Sequence, residues 1–167
     1  FKYTALFAAL MMAACQPTAD KSSDPQLQVY LVRHAEKTKE KNDPALTKAG
    51  LRRADTLAKR LADKGITRIH SSDFRRTRDT AAPLAELLGV EVELYNPRDL
   101  PGIAERLKAT GGTHLVVGHS NTTGELTELL GGEGGEPIVE ATEYDRLYYV
   151  TIAADGSATS ALLRFGN

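Results

Sequence analysis

The segment that decides the fold is Gln28-Val29-Tyr30-Leu31-Val32, a short run of mostly apolar, β-favouring residues that leads directly into Arg33-His34. Such a run predicts a buried strand. Farther along, the period changes, because Thr47 is typical of a helix N-cap and the apolar residues after it recur at helical spacing. A buried strand followed by an amphipathic helix is the repeating unit of an α/β fold.

The same alternation continues towards the end of the chain. Three further strands and three further helices are predicted in turn, at 67–70, 75–88, 90–95, 101–109, 114–117 and 122–130. Two last strands, at 146–153 and 157–165, flank the turn Asp155-Gly156 and predict an antiparallel hairpin. We therefore predict an α/β three-layer sandwich, with a mostly parallel mixed sheet, helices on both faces and a C-terminal antiparallel hairpin.

Composition narrows the classes of function. The 167 residues are 41% hydrophobic and 26% charged, as in an ordinary globular domain. A formal net charge of −1 gives no electrostatic reason to expect a nucleic-acid partner. The single cysteine provides neither a disulfide framework within the chain nor a thiolate zinc site. We expect no cofactor and no metal.

The first part of the chain is not expected to belong to this fold. Residues 5–15 form an unbroken apolar run that is shorter than the roughly 20 residues of a membrane-spanning helix but fits the apolar region of an export signal. The run ends Met12-Ala13-Ala14-Cys15, which resembles the lipobox of bacterial lipoproteins, with Cys15 as the lipidated residue. We predict an export signal at 1–15, a polar tether at 16–26 and a globular domain at 27–167. This arrangement implies a lipoprotein that faces the periplasm, with a cytoplasmic protein as the alternative.

Residue types that commonly bind phosphate follow three of the predicted strands. Arg33 and His34 follow the first strand, Arg76 lies just beyond the second, and His119 follows the fourth. Because ligands of open α/β sheets bind beyond the carboxyl ends of the strands, we expect these side chains to meet at one edge. Planar guanidinium groups bind the oxygens of a phosphoryl group in pairs. The pattern therefore favours a site for a phosphorylated substrate.

Four ordered motifs around these residues resemble those of the histidine phosphatase superfamily, the phosphoglycerate-mutase-like proteins. They are Leu31-Val32-Arg33-His34-Ala35-Glu36-Lys37, Leu46-Thr47-Lys48-Ala49-Gly50, Ser72-Asp73-Phe74-Arg75-Arg76-Thr77-Arg78-Asp79-Thr80-Ala81 and Val117-Gly118-His119. The resemblance spans about residues 27–165, so it implies a phosphoglycerate-mutase-like fold and a histidine phosphatase domain at 27–167. Ala35 departs from the pattern, because the family motif has glycine there.

The resemblance also implies roles for individual residues. His34 is expected to be the nucleophile that attacks phosphorus and becomes a phosphohistidine. Arg33, Arg76 and His119 are expected to bind the phosphoryl oxygens and to stabilise charge in the transition state. Two further residues are assigned to substrate binding, Thr47 and Ser120, although Ser120 also suits a cap for the following helix.

The general acid that protonates the leaving oxygen is usually a Glu or Asp on the loop after the third strand of this family. Asp99 is the best-placed carboxylate on that loop, with Glu105 and Glu36 behind it. A cap for the short helix near Pro101 is an almost equal alternative for Asp99.

Several neighbouring residues have simpler interpretations. Arg75 and Arg78 flank Arg76 and are expected to be solvated helix charges. His70 and His114 are expected to be hydrogen-bonded strand residues rather than ligands. For Glu36 and Lys37, lining of the site and simple solvation both stay open.

Together these features predict a metal-independent phosphatase that hydrolyses phosphomonoesters through a phosphohistidine on His34. The substrate is expected to be a phosphorylated small molecule or a phosphoprotein, and the membrane is expected to be contacted only through the lipid anchor. Two alternatives stay open, a non-catalytic protein that binds phospho-ligands and a phosphomutase. A serine hydrolase built on Ser120 is disfavoured, because the base histidine of that fold follows the serine, whereas His119 is the last histidine here.

Overall fold

A computed structural model describes residues 25–166 of the chain. The predicted export signal, Cys15 and nearly all of the tether lie outside the described residues. Within the described part, strands alternate with helices as the sequence predicts. The elements are β1 Leu27–Arg33, α1 Lys48–Leu61, β2 Arg68–Ser72, α2 Arg75–Leu88, β3 Val92–Tyr95, α3 Leu100–Thr110, β4 Gly112–Gly118, α4 Thr123–Leu129, β5 Arg146–Ile152 and β6 Ala158–Arg164.

The strands form one sheet in the order β3-β2-β4-β1-β5-β6. The first four strands of that order are parallel, whereas β5 is antiparallel to β1 and β6 is antiparallel to β5. The prediction of a mostly parallel mixed sheet with a C-terminal antiparallel hairpin is confirmed. This order puts the carboxyl end of β1 next to that of β4, in the middle of the sheet.

Apolar clusters cover both faces of the sheet. Helices α1 and α2 pack on one face, and α3 and α4 pack on the other. Successive residues of β1 serve the two clusters in turn: Tyr30 and Val32 contact the first, and Val29 and Leu31 contact the second. This is the two-residue period of a strand buried on both faces, and it confirms the three-layer arrangement.

The ends of the helices follow local chemistry. Thr47 caps α1 as predicted, since its Oγ1 accepts a hydrogen bond of 3.1 Å from the backbone N–H of Gly50. Helix α1 ends at Leu61, and a turn over residues 62–65 follows it. None of the helices within residues 25–166 has the length and apolar character needed to cross a membrane.

Candidate active site

The carboxyl ends of β1, β2 and β4 bring four of the predicted site residues together. Arg33 is the last residue of β1, and Arg76 lies in the first turn of α2, just after β2. The backbone N–H of His34 donates to the carbonyl oxygen of Gly118 at 2.9 Å, which joins the ends of β1 and β4. His119 follows Gly118, and the ring centres of His34 and His119 are 5.6 Å apart.

His34 is buried, and the backbone sets its tautomer. Its Nδ1 lies 2.8 Å from the carbonyl oxygen of Ala35. A carbonyl oxygen can only accept, so Nδ1 carries the proton and Nε2 carries the lone pair. Burial lowers the pKa of His34 to about 3, and the charges of Arg33 and Arg76 act in the same direction. His34 is therefore neutral at neutral pH, which is the form that a nucleophile requires.

Arg33 is held by the loop that precedes β5. Its Nη1 donates to the carbonyl oxygen of Glu143 at 2.9 Å, and its Nη2 donates to that of Glu140 at 2.8 Å. The guanidinium carbon lies 4.1 Å from the centre of the Tyr144 ring. Its Nε is buried and has no hydrogen-bond partner within residues 25–166. A buried donor without a partner is costly, so this N–H is available to an anion.

Arg76 stacks on Phe74, with 4.5 Å from the guanidinium carbon to the ring centre. Its Nη2 donates to Nδ1 of His119 at 3.4 Å, while its Nε, like that of Arg33, is buried without a partner in the described part of the chain. Because arginine cannot accept, His119 carries its proton on Nε2 and donates it to Oγ of Ser72 at 2.8 Å. Burial and the two guanidinium charges lower the pKa of His119 to about 4.

A cavity of about 340 Å³ opens onto these side chains. His34, Arg76 and His119 line it, and the cationic residues Lys37 and Arg98 add to its positive charge. Such an excess of positive charge favours an anionic ligand. Arg33 does not line the cavity, because the loop carbonyls occupy both of its terminal nitrogens.

The structure places Asp99, the predicted general acid, outside this cavity. Its Oδ1 accepts a hydrogen bond of 3.0 Å from the backbone N–H of Gly102 and caps α3. Asp99 is exposed and lines a different cavity, together with Asp73 and Arg106. This hydrogen bond is the helix cap that the sequence offers as the alternative role for Asp99.

The two further residues assigned to substrate binding differ in position. Thr47 does not line the cavity; its hydroxyl group caps α1 and donates to the carbonyl oxygen of Glu36 at 3.3 Å. Ser120 does line the cavity. It does not cap the next helix, however, because Thr122 occupies the N-cap position of α4.

Comparison with known proteins bears on the same segment of the chain. Residues 29–97 match the family model described as histidine phosphatase superfamily (branch 1). A protein of Yersinia pestis named "Probable phosphoglycerate mutase GpmB" is 42% identical over 79 residues. Over this segment the chain is similar to the histidine phosphatase superfamily. The match to the Yersinia protein covers 43% of this chain but only 36% of that relative's length.

Solved structures share the fold of this chain. The protein histidine phosphatase SixA, complexed with tungstate, matches 84% of this chain and 97% of its own with a TM-score of 0.64 and 19% identity. A mycobacterial glucosyl-3-phosphoglycerate phosphatase matches 84% of this chain and 98% of its own with a TM-score of 0.63 and 15% identity. At these identities the likeness establishes the fold alone.

Four side chains at the site were not assigned from the sequence. Ser72 begins the motif that contains Arg76, so its contact with His119 had a sequence signal, and Phe74 lies within the same motif. Tyr144 and Glu140 come from the loop before β5, which carries none of the four motifs. No local signal in the sequence marks these two residues.

Other polar residues near the motifs have structural partners. The carboxylate of Glu36 forms an ion pair with Arg53 at 2.8 Å. Of the neighbours Glu36 and Lys37, only Lys37 lines the cavity. His70 and His114 are buried and hydrogen-bonded to each other, with 2.9 Å between Nε2 and Nδ1. Within residues 25–166, no three or more His, Cys, Asp or Glu side chains are grouped to hold a metal ion.

Proposed function

We propose that this protein is a phosphatase that hydrolyses phosphomonoesters through a phosphohistidine on His34. The observation that carries the proposal is the pair of buried Nε–H donors, on Arg33 and Arg76, that flank His34 without a partner among the described residues. A phosphoryl dianion has several acceptor oxygens and satisfies both donors with charge-assisted hydrogen bonds. His34 lines the cavity, and its Nε2 carries the lone pair for attack.

In the proposed first step, Nε2 of His34 attacks phosphorus, so the N–P bond forms while the bond to the leaving oxygen breaks. Arg33 and Arg76 are fixed donors that stabilise the charge on the three remaining phosphoryl oxygens, whereas the one N–H of His119 is already donated to Ser72. Water then attacks the phosphohistidine, which releases inorganic phosphate and restores neutral His34. Because cationic side chains neutralise the phosphoryl charge, the proposed reaction requires no metal ion.

The names of similar proteins support an anionic phosphorylated substrate. The SixA structure holds tungstate, a tetrahedral oxyanion like phosphate, and the mycobacterial neighbour is named for a phosphorylated sugar derivative. We propose a phosphorylated small molecule or a phosphoprotein as the substrate. The name of the Yersinia relative supports a phosphomutase as the second candidate. A mutase returns the phosphoryl group of His34 to a hydroxyl group of the substrate, whereas a phosphatase gives it to water.

The test is labelling of the full chain with 32P-phosphomonoesters. We expect label that is lost in acid and stable in alkali, together with release of inorganic phosphate, and we expect His34→Asn to abolish both. An isomeric phosphoester in the 31P NMR spectrum would instead indicate a mutase. Phosphate binding without label or turnover would indicate a non-catalytic binding protein, and label that persists in His34→Asn would refute the assignment of the nucleophile.

We further propose that the protein is exported and anchored through lipid on Cys15, facing the periplasm. The support is in the sequence, an apolar run over 5–15 followed by a polar tether over 16–26. One acyl chain binds a membrane weakly, so durable anchoring requires two or more chains. Fractionation should place the wild-type protein with the membrane and leave Cys15→Ser uncleaved or released. A wholly soluble wild-type protein that retains residues 1–15 would refute export and favour a cytoplasmic substrate.

A further inference from the structure

The proposed reaction needs a proton for the leaving oxygen, because an alkoxide is a poor leaving group. Asp99 caps a helix and lines another cavity. Glu140 is the one carboxylate, among the described residues, that lines the cavity with His34 and His119. We propose that Glu140 is the general acid of the reaction. This inference rests on the proposed phosphatase function, and it assigns the acid to the loop before β5.

Glu140 lies in a closed turn. The backbone N–H groups of Thr142 and Glu143 both donate to the carbonyl oxygen of Val139, at 3.2 and 2.8 Å. The carboxylate of Glu143 closes the turn from the other side, since its Oε2 accepts from the backbone N–H of Val139 at 3.0 Å. Glu140 is therefore presented by an ordered turn, Val139–Glu143.

Two arginines of the C-terminal hairpin fix this turn to the sheet. Arg146 donates to both carboxylate oxygens of Glu143, at 2.6 and 2.9 Å, and Arg164 donates to Oε1 at 2.8 Å. The hydrogen bond from Arg146 is the main cause that lowers the pKa of Glu143 to about 2. Glu143 is thus anionic throughout the neutral range, and it keeps the turn attached to β5 and β6.

The opposite side of the turn is bound by Arg33, the residue before the nucleophile. Arg33 donates to the carbonyl oxygens of Glu140 and Glu143, and His34 is the next residue after Arg33. The backbone of Glu140 is therefore positioned from both directions, by the hairpin and by the residue that precedes the nucleophile.

The carboxylate of Glu140 itself is free for chemistry. It forms no hydrogen bond or ion pair with any other side chain between residues 25 and 166, and Glu140 is exposed at the mouth of the cavity. Burial lowers the pKa values of Arg33 and Arg76, and the negative charge of Glu140 raises both. This is expected of a neighbour of both guanidinium groups.

The proton balance closes over both steps. The carboxylic acid of Glu140 gives its proton to the leaving oxygen while the N–P bond to His34 forms and the P–O bond breaks. The resulting carboxylate then accepts a proton from the water that attacks the phosphohistidine, as the N–P bond breaks and a new P–O bond forms. Glu140 ends the cycle protonated, and no other reactant is consumed.

The test compares Glu140→Gln with Glu133→Gln in the full chain. Glu133 is an exposed carboxylate of the same loop that does not line the cavity, so it is the matched control. The measured quantity is kcat/KM, which reports on phosphorylation of His34, for an alkyl phosphate and for p-nitrophenyl phosphate. We expect Glu140→Gln to lower kcat/KM for the alkyl phosphate by about 10²-fold or more. We expect p-nitrophenyl phosphate, whose phenolate leaves without a proton, to change by less than about threefold, and Glu133→Gln to match the wild type on both.

The possible outcomes separate this inference from the proposed function. If the wild-type protein gives neither turnover nor labelled His34, the phosphatase proposal fails. If the wild type is active and Glu140→Gln loses activity equally on both substrates, or loses none, the assignment of Glu140 is refuted while the phosphatase function stands. Thermal unfolding of each variant shows whether a loss of activity comes from a loss of fold.

Discussion

Substitution of Arg76 by lysine tests whether geometry or charge alone matters at the site. Arg76 combines an unpartnered Nε–H with a stacking contact on Phe74 and a hydrogen bond from Nη2 to His119. Lysine keeps the positive charge but has no planar group that can stack on the ring and bind two oxygens at once. The variant Arg76→Lys therefore removes the fork and preserves the net charge.

The expected magnitude follows from these contacts. Loss of one charge-assisted hydrogen bond to the phosphoryl group costs about 1.5–3 kcal/mol of transition-state stabilisation. Each 1.36 kcal/mol corresponds to about a tenfold change in rate. We expect kcat/KM for p-nitrophenyl phosphate to fall by about 10²-fold.

The assay is initial-rate hydrolysis, with Arg78→Lys as the matched control. Arg78 lies two residues away on the same helix, but it is paired with Asp73 at the surface and does not line the cavity. We expect Arg78→Lys to keep the wild-type rate. If Arg76→Lys also keeps it, or if Arg78→Lys shows the larger loss, the phosphate-binding role of Arg76 is refuted.

Three further predictions concern packing, capping and pH. Gly50→Ala should lower the free energy of unfolding by about 1–3 kcal/mol, because an added Cβ would overlap the carbonyl oxygen of Glu36; an unchanged melting temperature would contradict this. Asp99→Ala should cost about 1 kcal/mol of stability through the lost cap without changing kcat/KM for alkyl phosphates, and a selective loss on those substrates would restore Asp99 as the acid. The pKa values of His34 and His119 are lowered to about 3 and 4, so protonation of these two histidines should not reduce kcat/KM until the pH falls to about 4. A loss of activity centred near pH 6.5 that NMR titration assigns to either ring would contradict this. Over the same range the unfolded chain takes up protons that the folded chain does not, so stability should fall as the pH drops from about 6.5 to 4.

Most of the fold could be predicted from the sequence because it is encoded in short-range patterns. The apolar run of β1 predicts a buried strand, and consecutive residues such as Val29 and Tyr30 do contact the clusters on opposite faces. The cap at Thr47 was equally local, since its partner is only three residues away. The convergence of His34 and His119 followed from the general rule for the carboxyl ends of parallel strands.

The rest of the site depends on contacts that no local pattern encodes. Arg33 bonds to Glu140 and Glu143, which are 107 and 110 residues away along the chain, and these partners lie on an irregular loop. Asp99 was ambiguous for a different reason. Its position before Leu100 and Pro101 suits both a cap and a loop acid, and only the hydrogen bond from Gly102 distinguishes them.

The position of β1 between β4 and β5 also determines when the active site can form during synthesis. β1 leaves the ribosome before both of its neighbours, so the nascent chain exposes two unpaired edges of an apolar strand until they emerge. His34 cannot be fixed until Gly118 has been made, and Arg33 cannot be fixed until Glu143 has followed. We therefore expect a fragment that ends before the last hairpin to be inactive and prone to aggregation. A chaperone would protect β1 best between the synthesis of β1 and the synthesis of β5.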